Sequence, residues 1–160
     1  MRQVNPKHIA AIMEFANSSL FFDHMSMKIC ELGVGQATVE MDIQKKHYNP
    51  FGTVHGGVYS TIIDTAAYWA IYCELDENVG LTTIDLSINY LSSIEDGKFI
   101  VEGKTIKIGR SICMAEALVK DINGRLVTHG TSKLMVLDEK HSIEKAVIAM
   151  GYPPLPPKFI

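Results

Sequence analysis

The sequence predicts an α+β domain in which a curved antiparallel sheet wraps one long buried helix. Three observations carry this prediction. Residues 58–73 are apolar around most of a helical circumference, two strand-like stretches precede them, and four more follow with no helical pattern between. A helix apolar on nearly every face is a core element, and consecutive hairpins make an antiparallel sheet. The economical packing curls the sheet about the helix.

Each element can be justified in order. Asn5-Pro6 reads as a helix cap with proline in the first turn, and Ile9, Ile12, Met13, Phe15, Ala16 and Leu20 share a broad face, which predicts a helix to about Leu20. Phe21, Phe22, Met25 and Met27 follow, as core packing or as the lining of an apolar tunnel. Gly33-Val34-Gly35 turns the chain between strands at 27–32 and 37–43; in the second, Ala37, Val39, Met41 and Ile43 alternate with Thr38, Glu40 and Asp42. After the central helix, Ile84, Leu86, Ile88 and Tyr90 alternate with Thr83, Asp85, Ser87 and Asn89, placing the two sets on opposite faces. Turns at Asp96-Gly97, Gly109-Arg110 and Asn123-Gly124 then separate strands at 99–107, 111–120 and 126–137. A short helix over 142–150 and an extended, polyproline-like surface tail from Pro153 complete the chain.

Composition narrows the function classes. With 160 residues and 47% hydrophobic content, the chain is one domain with a sizeable core. A formal charge of -3 without a basic stripe argues against nucleic acid as a partner. Cys30, Cys73 and Cys113 form no C-x-x-C pair, which fits a reducing compartment, and no long apolar leader follows Met1. A soluble, cytoplasmic protein without membrane contact is expected.

Chemistry concentrates in Asn49-Pro50-Phe51-Gly52-Thr53-Val54-His55-Gly56-Gly57 and in Asp64 beyond it. Paired glycines at a helix entry can leave a backbone N–H facing outward, in a position that favours negative charge. Asp64 lies within the apolar helix, where a carboxylate without a partner costs several kcal/mol or takes up a proton. At about 1.5 Å per residue, Asp64 stands roughly 12 Å from the amides at its own helix start. If both act on one carbon, the second must come from another subunit, and a two-fold pair of antiparallel helices supplies it twice.

Other constellations fail on context. Ser60, His55 and Asp64 supply the residue types of a triad, yet no G-x-S-x-G elbow is present. His24, His47, His55, His129 and His141 show no metal-binding spacing, so neither a metal nor another cofactor is called for.

Asn49-x-x-Gly52-x-x-His55-Gly56-Gly57, with Asp64 on the next helix and Thr83-Ile84-Asp85-Leu86 opening the next strand, resembles the hotdog-fold thioesterases of the 4-hydroxybenzoyl-CoA thioesterase superfamily. The likeness is strongest to the phenylacetate-degradation and acyl-CoA thioesterase superfamily-member types. It spans residues 25–137, leaving an N-terminal helical segment at 1–24 and a C-terminal tail at 138–160. It implies acyl-CoA as substrate and a homodimer with a continuous sheet, often paired again as a homotetramer. By resemblance, the Gly56 amide meets the thioester carbonyl, with Gly57 beside it. Asn49 and His55 orient substrate and loop, Asp64 of the partner chain drives water, and Thr83 helps to position that water. Lys104, Lys107 and Arg110 are candidates for the phosphates of coenzyme A. Attack by Asp64 itself through an anhydride remains open beside the general-base route. A dehydratase of the same fold more often pairs its histidine with an aspartate a few positions before it, and this sequence has none there. A non-catalytic acyl-CoA sensor is the alternative from another functional class.

Overall fold

The computed structural model describes residues 3–160. Its elements run α1 (Pro6–Asn17), α2 (Leu20–Met25), β1 (Met27–Gly33), β2 (Gln36–Asp42), α3 (Gly56–Tyr72), β3 (Gly80–Tyr90), β4 (Lys98–Lys107), β5 (Ile112–Lys120), β6 (Leu126–Leu137) and α4 (Ile143–Ala149). The six strands form one sheet in the order β1-β2-β4-β5-β6-β3, antiparallel at every pairing. It curls around α3 as expected from the sequence.

The inner face of the sheet is built from alternate residues. Val39, Met41, Phe99, Val101, Ala115, Ala117, Val119 and Leu134 are buried there, as are Ile62, Ile63, Ala66, Ala67, Ala70 and Ile71 of the helix. Small residues let sheet and helix approach closely. At Gly103 a Cβ would lie 2.2 Å from Ala66 O, so β4 rests its backbone directly on the middle of α3.

Two local expectations need correction. The first helix stops at Asn17, because Ser19 opens a second one by accepting the Phe22 amide at 3.3 Å, and Ser26 closes that one in the left-handed conformation with φ 52°. Leu20 therefore points away from the core that the helical spacing had assigned to it. In β3 the register shifts between Thr83 and Asp85. This bulge leaves Ile84 49% exposed and turns Thr83 inward with Leu86, against the simple alternation of the sequence.

The terminal segment is packed rather than a surface tail. Lys158 is only 2% exposed; its Nζ donates to Tyr72 O at 2.6 Å and Leu75 O at 2.7 Å and sits 4.0 Å from the centre of the Tyr72 ring. It thus brings a positive charge and hydrogen-bond donors to carbonyls at and just beyond the C-terminal end of α3. His8 joins the Tyr72 hydroxyl at 2.6 Å to Pro156 O at 2.7 Å, and Val4 pairs with Phe159. The prolines fix an extended path, so little chain freedom is lost in docking it.

Two outcomes are expected. Gly103→Ala should destabilise the fold by about 3 kcal/mol, read as a lower urea midpoint at unchanged slope, because backbone must move to admit the methyl group. Burial pushes the Lys158 ammonium down from 10.5 to about 8. Between those two pH values the unfolded lysine holds a proton that the folded one lacks, so stability contributed at this site should rise with pH across the window. Urea melts of wild type and Lys158→Met should show the difference moving in favour of wild type over that interval.

Candidate active site

The loop before α3 is organised by its own side chains. Asn49 Oδ1 accepts the amides of Phe51 at 2.9 Å and Thr53 at 3.2 Å, while its Nδ2 donates to Thr53 Oγ1 at 2.8 Å. Gly52, at φ +82°, makes the turn that these bonds close. The far end is pinned where the His55 amide donates to His47 O at 2.9 Å. His47 is itself buried, with Nδ1 accepting the Gln44 amide at 3.0 Å.

His55 then caps α3. Its extended backbone (φ -65°, ψ 138°) lets Nδ1 accept the Gly57 amide at 2.8 Å, and its carbonyl accepts the Val58 amide at 2.9 Å. An accepting Nδ1 means that the neutral ring carries its proton on Nε2. A Cβ at Gly57 would stand 3.0 Å from that Nδ1, so the second glycine permits the cap. Among the described residues the Gly56 amide has no acceptor, and of the two glycines it alone presents its N–H.

Asp64 lies two turns along the same helix, half-buried. Thr83 Oγ1 donates to its Oδ1 at 2.8 Å and Ser132 Oγ stands 3.4 Å from the same oxygen. The β3 bulge brings Thr83 into reach, and Ser132 comes from the inner face of β6. Among the described residues Oδ2 has no donor. One turn further on, burial and then the Asp64 carboxylate push the Tyr68 phenol up to about 12, which keeps it neutral.

Asn49, His55, Gly56 and Gly57 therefore meet at one end of α3, and Asp64 and Thr83 meet near its middle. Eight helical residues, roughly 12 Å, separate the two groups within one chain. Lys104 and Lys107 project from β4 into solvent and Arg110 from the turn after it. Three strand spacings, about 14 Å, separate β4 from β3. No relay joins Ser60 to Asp64: the Ser60 hydroxyl faces Gly56 O and Tyr90, each at 3.4 Å.

Ser132 and Tyr90 belong to this region although the sequence did not single them out. Tyr90 Oη donates to Gly56 O at 3.2 Å. A shallow depression lined by Val54, Gly56, Tyr59, Tyr90 and the segment Leu91 to Ser93 opens beside it. Neither residue carries a motif; the only signal for Ser132 is a small hydroxyl at an inward position of a strand.

The chain is similar to known proteins over this region. A family model described as the thioesterase superfamily matches residues 51–128. Acyl-coenzyme A thioesterase 13 of Homo sapiens is 26% identical over 98 residues, covering 60% of this chain and 69% of that protein. The 1,4-dihydroxy-2-naphthoyl-CoA hydrolase of Listeria monocytogenes is 24% identical over 103 residues, 64% of this chain and 84% of that one. A solved thioesterase structure from Haemophilus influenzae superposes with a TM-score of 0.76 at 20% identity over 87% of this chain and 96% of that chain, which shows a shared fold. The matched stretch takes in the turn at Gly52, the His55 cap, all of α3 and strands β3 to β5, so over these residues the chain is similar to the thioesterase superfamily.

Proposed function

We propose that the protein hydrolyses acyl-CoA thioesters to free acid and coenzyme A, in sites shared between two copies of the chain. The observation that carries this reading is the pairing of an unoccupied Gly56 amide with an Asp64 held by Thr83, on a helix too straight to bring the two together. Names of the relatives above, an acyl-coenzyme A thioesterase and an aroyl-CoA hydrolase, supply the substrate class.

In this mechanism the Gly56 N–H, at the positive end of α3, donates to the thioester carbonyl oxygen about 2.7 to 3.1 Å away and stabilises it as an oxyanion. Water adds to the carbonyl carbon as the partner copy's carboxylate removes its proton. Asp64 Oδ1 is engaged by Thr83 and Ser132, so Oδ2 is the oxygen left to act. Collapse breaks the C–S bond, and the thiolate departs without an acid, since a thiol ionises near pH 8.5. His55 holds the helix entry through Gly57, and Asn49 holds the loop. Lys104, Lys107 and Arg110 are the cations available to the phosphates.

The edge of the sheet favours the paired assembly. β3 is eleven residues long, pairs only with β6 and leaves its other edge unpaired among the described residues, with Ile84 exposed along it. A long open edge of this kind is a template for another strand, and a second copy of β3 across a two-fold axis satisfies it. A sensor that binds acyl-CoA without turnover would not need the carboxylate that Thr83 and Ser132 hold.

Asp64→Asn should lower kcat by about 10²-fold or more in a thiol-release assay, with the urea midpoint near that of wild type. Near-normal turnover in that variant would remove Asp64 from the chemistry. A mixing experiment tests the shared site. Gly56→Pro deletes the amide at the first helical position, where proline is tolerated. If sites are shared, co-refolding Gly56→Pro chains with Asp64→Asn chains should restore about a quarter of wild-type activity, because half the dimers regain one intact site of two. No recovery would confine the site to one chain.

A further inference from the structure

We propose that Tyr90 walls the seat of the acyl group and sets which acyl groups the protein accepts; this deepens, and rests on, the hydrolase reading above. The Tyr90 side chain lies across the first turn of α3, its Oη 3.2 Å from Gly56 O and 3.4 Å from Ser60 Oγ. A methyl group on Gly56 would find Tyr90 Oη at 3.2 Å and ring carbons at 3.5 and 3.6 Å as its three nearest neighbours. The residue whose amide receives the carbonyl thus has the Tyr90 ring as its immediate side-chain neighbour.

That ring begins an aromatic wall. Tyr90 meets Tyr59 edge-on with centroids 5.8 Å apart, and Tyr59 lies 5.1 Å from Phe99 in the core. Val54, Leu91, Ser92 and Ser93 complete the depression next to Gly56, and among the described residues no charged side chain lines it. Of the two ends of an acyl-CoA thioester, the phosphate-bearing one calls for cations and the acyl one for apolar surface. The depression has the second character, and the basic candidates lie on β4 and the turn beyond it. Tyr90 remains 57% exposed although its hydroxyl is held, so a flat, pre-oriented face is available to the acyl group. The bulk at position 90 limits the depth of the seat: a smaller side chain deepens it and an indole fills it.

The test is kcat/KM, by thiol release, for acetyl-CoA, hexanoyl-CoA and phenylacetyl-CoA with wild type, Tyr90→Phe, Tyr90→Ala and Tyr90→Trp. Expected are a rise of about tenfold in the ratio of the two bulky substrates to acetyl-CoA for Tyr90→Ala, a fall of similar size for Tyr90→Trp, and an unchanged ranking for Tyr90→Phe. Equal losses on all three thioesters, or an unchanged ranking in every variant, would reduce Tyr90 to a brace for α3 and overturn the proposal while leaving the hydrolase reading intact. Should Tyr90→Ala fail to fold, the direction of the Tyr90→Trp shift decides. A wild-type protein that releases no thiol from any of the three would sink the hydrolase reading and the acyl seat with it.

Discussion

A straight helix fixes the separation of everything it carries. The first amide of α3 and the Asp64 carboxylate ride on one rod that the sheet encloses on its apolar faces, so their spacing of roughly 12 Å is as rigid as the core itself. Close contact between Gly103 and Ala66 O leaves β4 and α3 no room to slide. In the proposed shared site, reactivity would depend on where a second, equally rigid rod is placed. Within one chain the spacing of these two groups is set by core packing rather than by loops.

β3 links the two ends of this arrangement. Its early residue Thr83 holds the acid, its last residue Tyr90 covers the helix entry, and its free edge runs between them. The bulge at Ile84 reconciles these tasks. Without the extra residue, Thr83 and Leu86 could not both face inward, and either the acid would lose its donor or the core would lose a side chain.

What the sequence disclosed follows the range of each interaction. The Asn49 to Gly57 loop was legible because its hydrogen bonds close within a few residues and leave their mark as residue types at fixed spacing. The sheet was legible from alternation and from turns such as Asn123-Gly124. Thr83 was named through resemblance alone, since alternation put it on the face opposite Leu86 and nothing local announces a bulge. The second helix, six residues long, is shorter than two turns and cannot show a period. Lys158 was out of reach altogether: its acceptors are backbone carbonyls 86 and 83 residues away, and every residue type offers the same carbonyl.

The terminal segment that carries Lys158 also settles where the chain can be cut and rejoined. Gln3 and Ile160 exchange backbone hydrogen bonds at 2.9 and 3.3 Å, so these positions lie side by side. A short linker could connect them and a new opening be made at the exposed Asn123-Gly124 tip, giving a circular permutant that keeps the barrel of contacts around α3. An affinity handle fused directly to residue 160, by contrast, would begin inside a paired ladder and pull on the lysine that closes the helix.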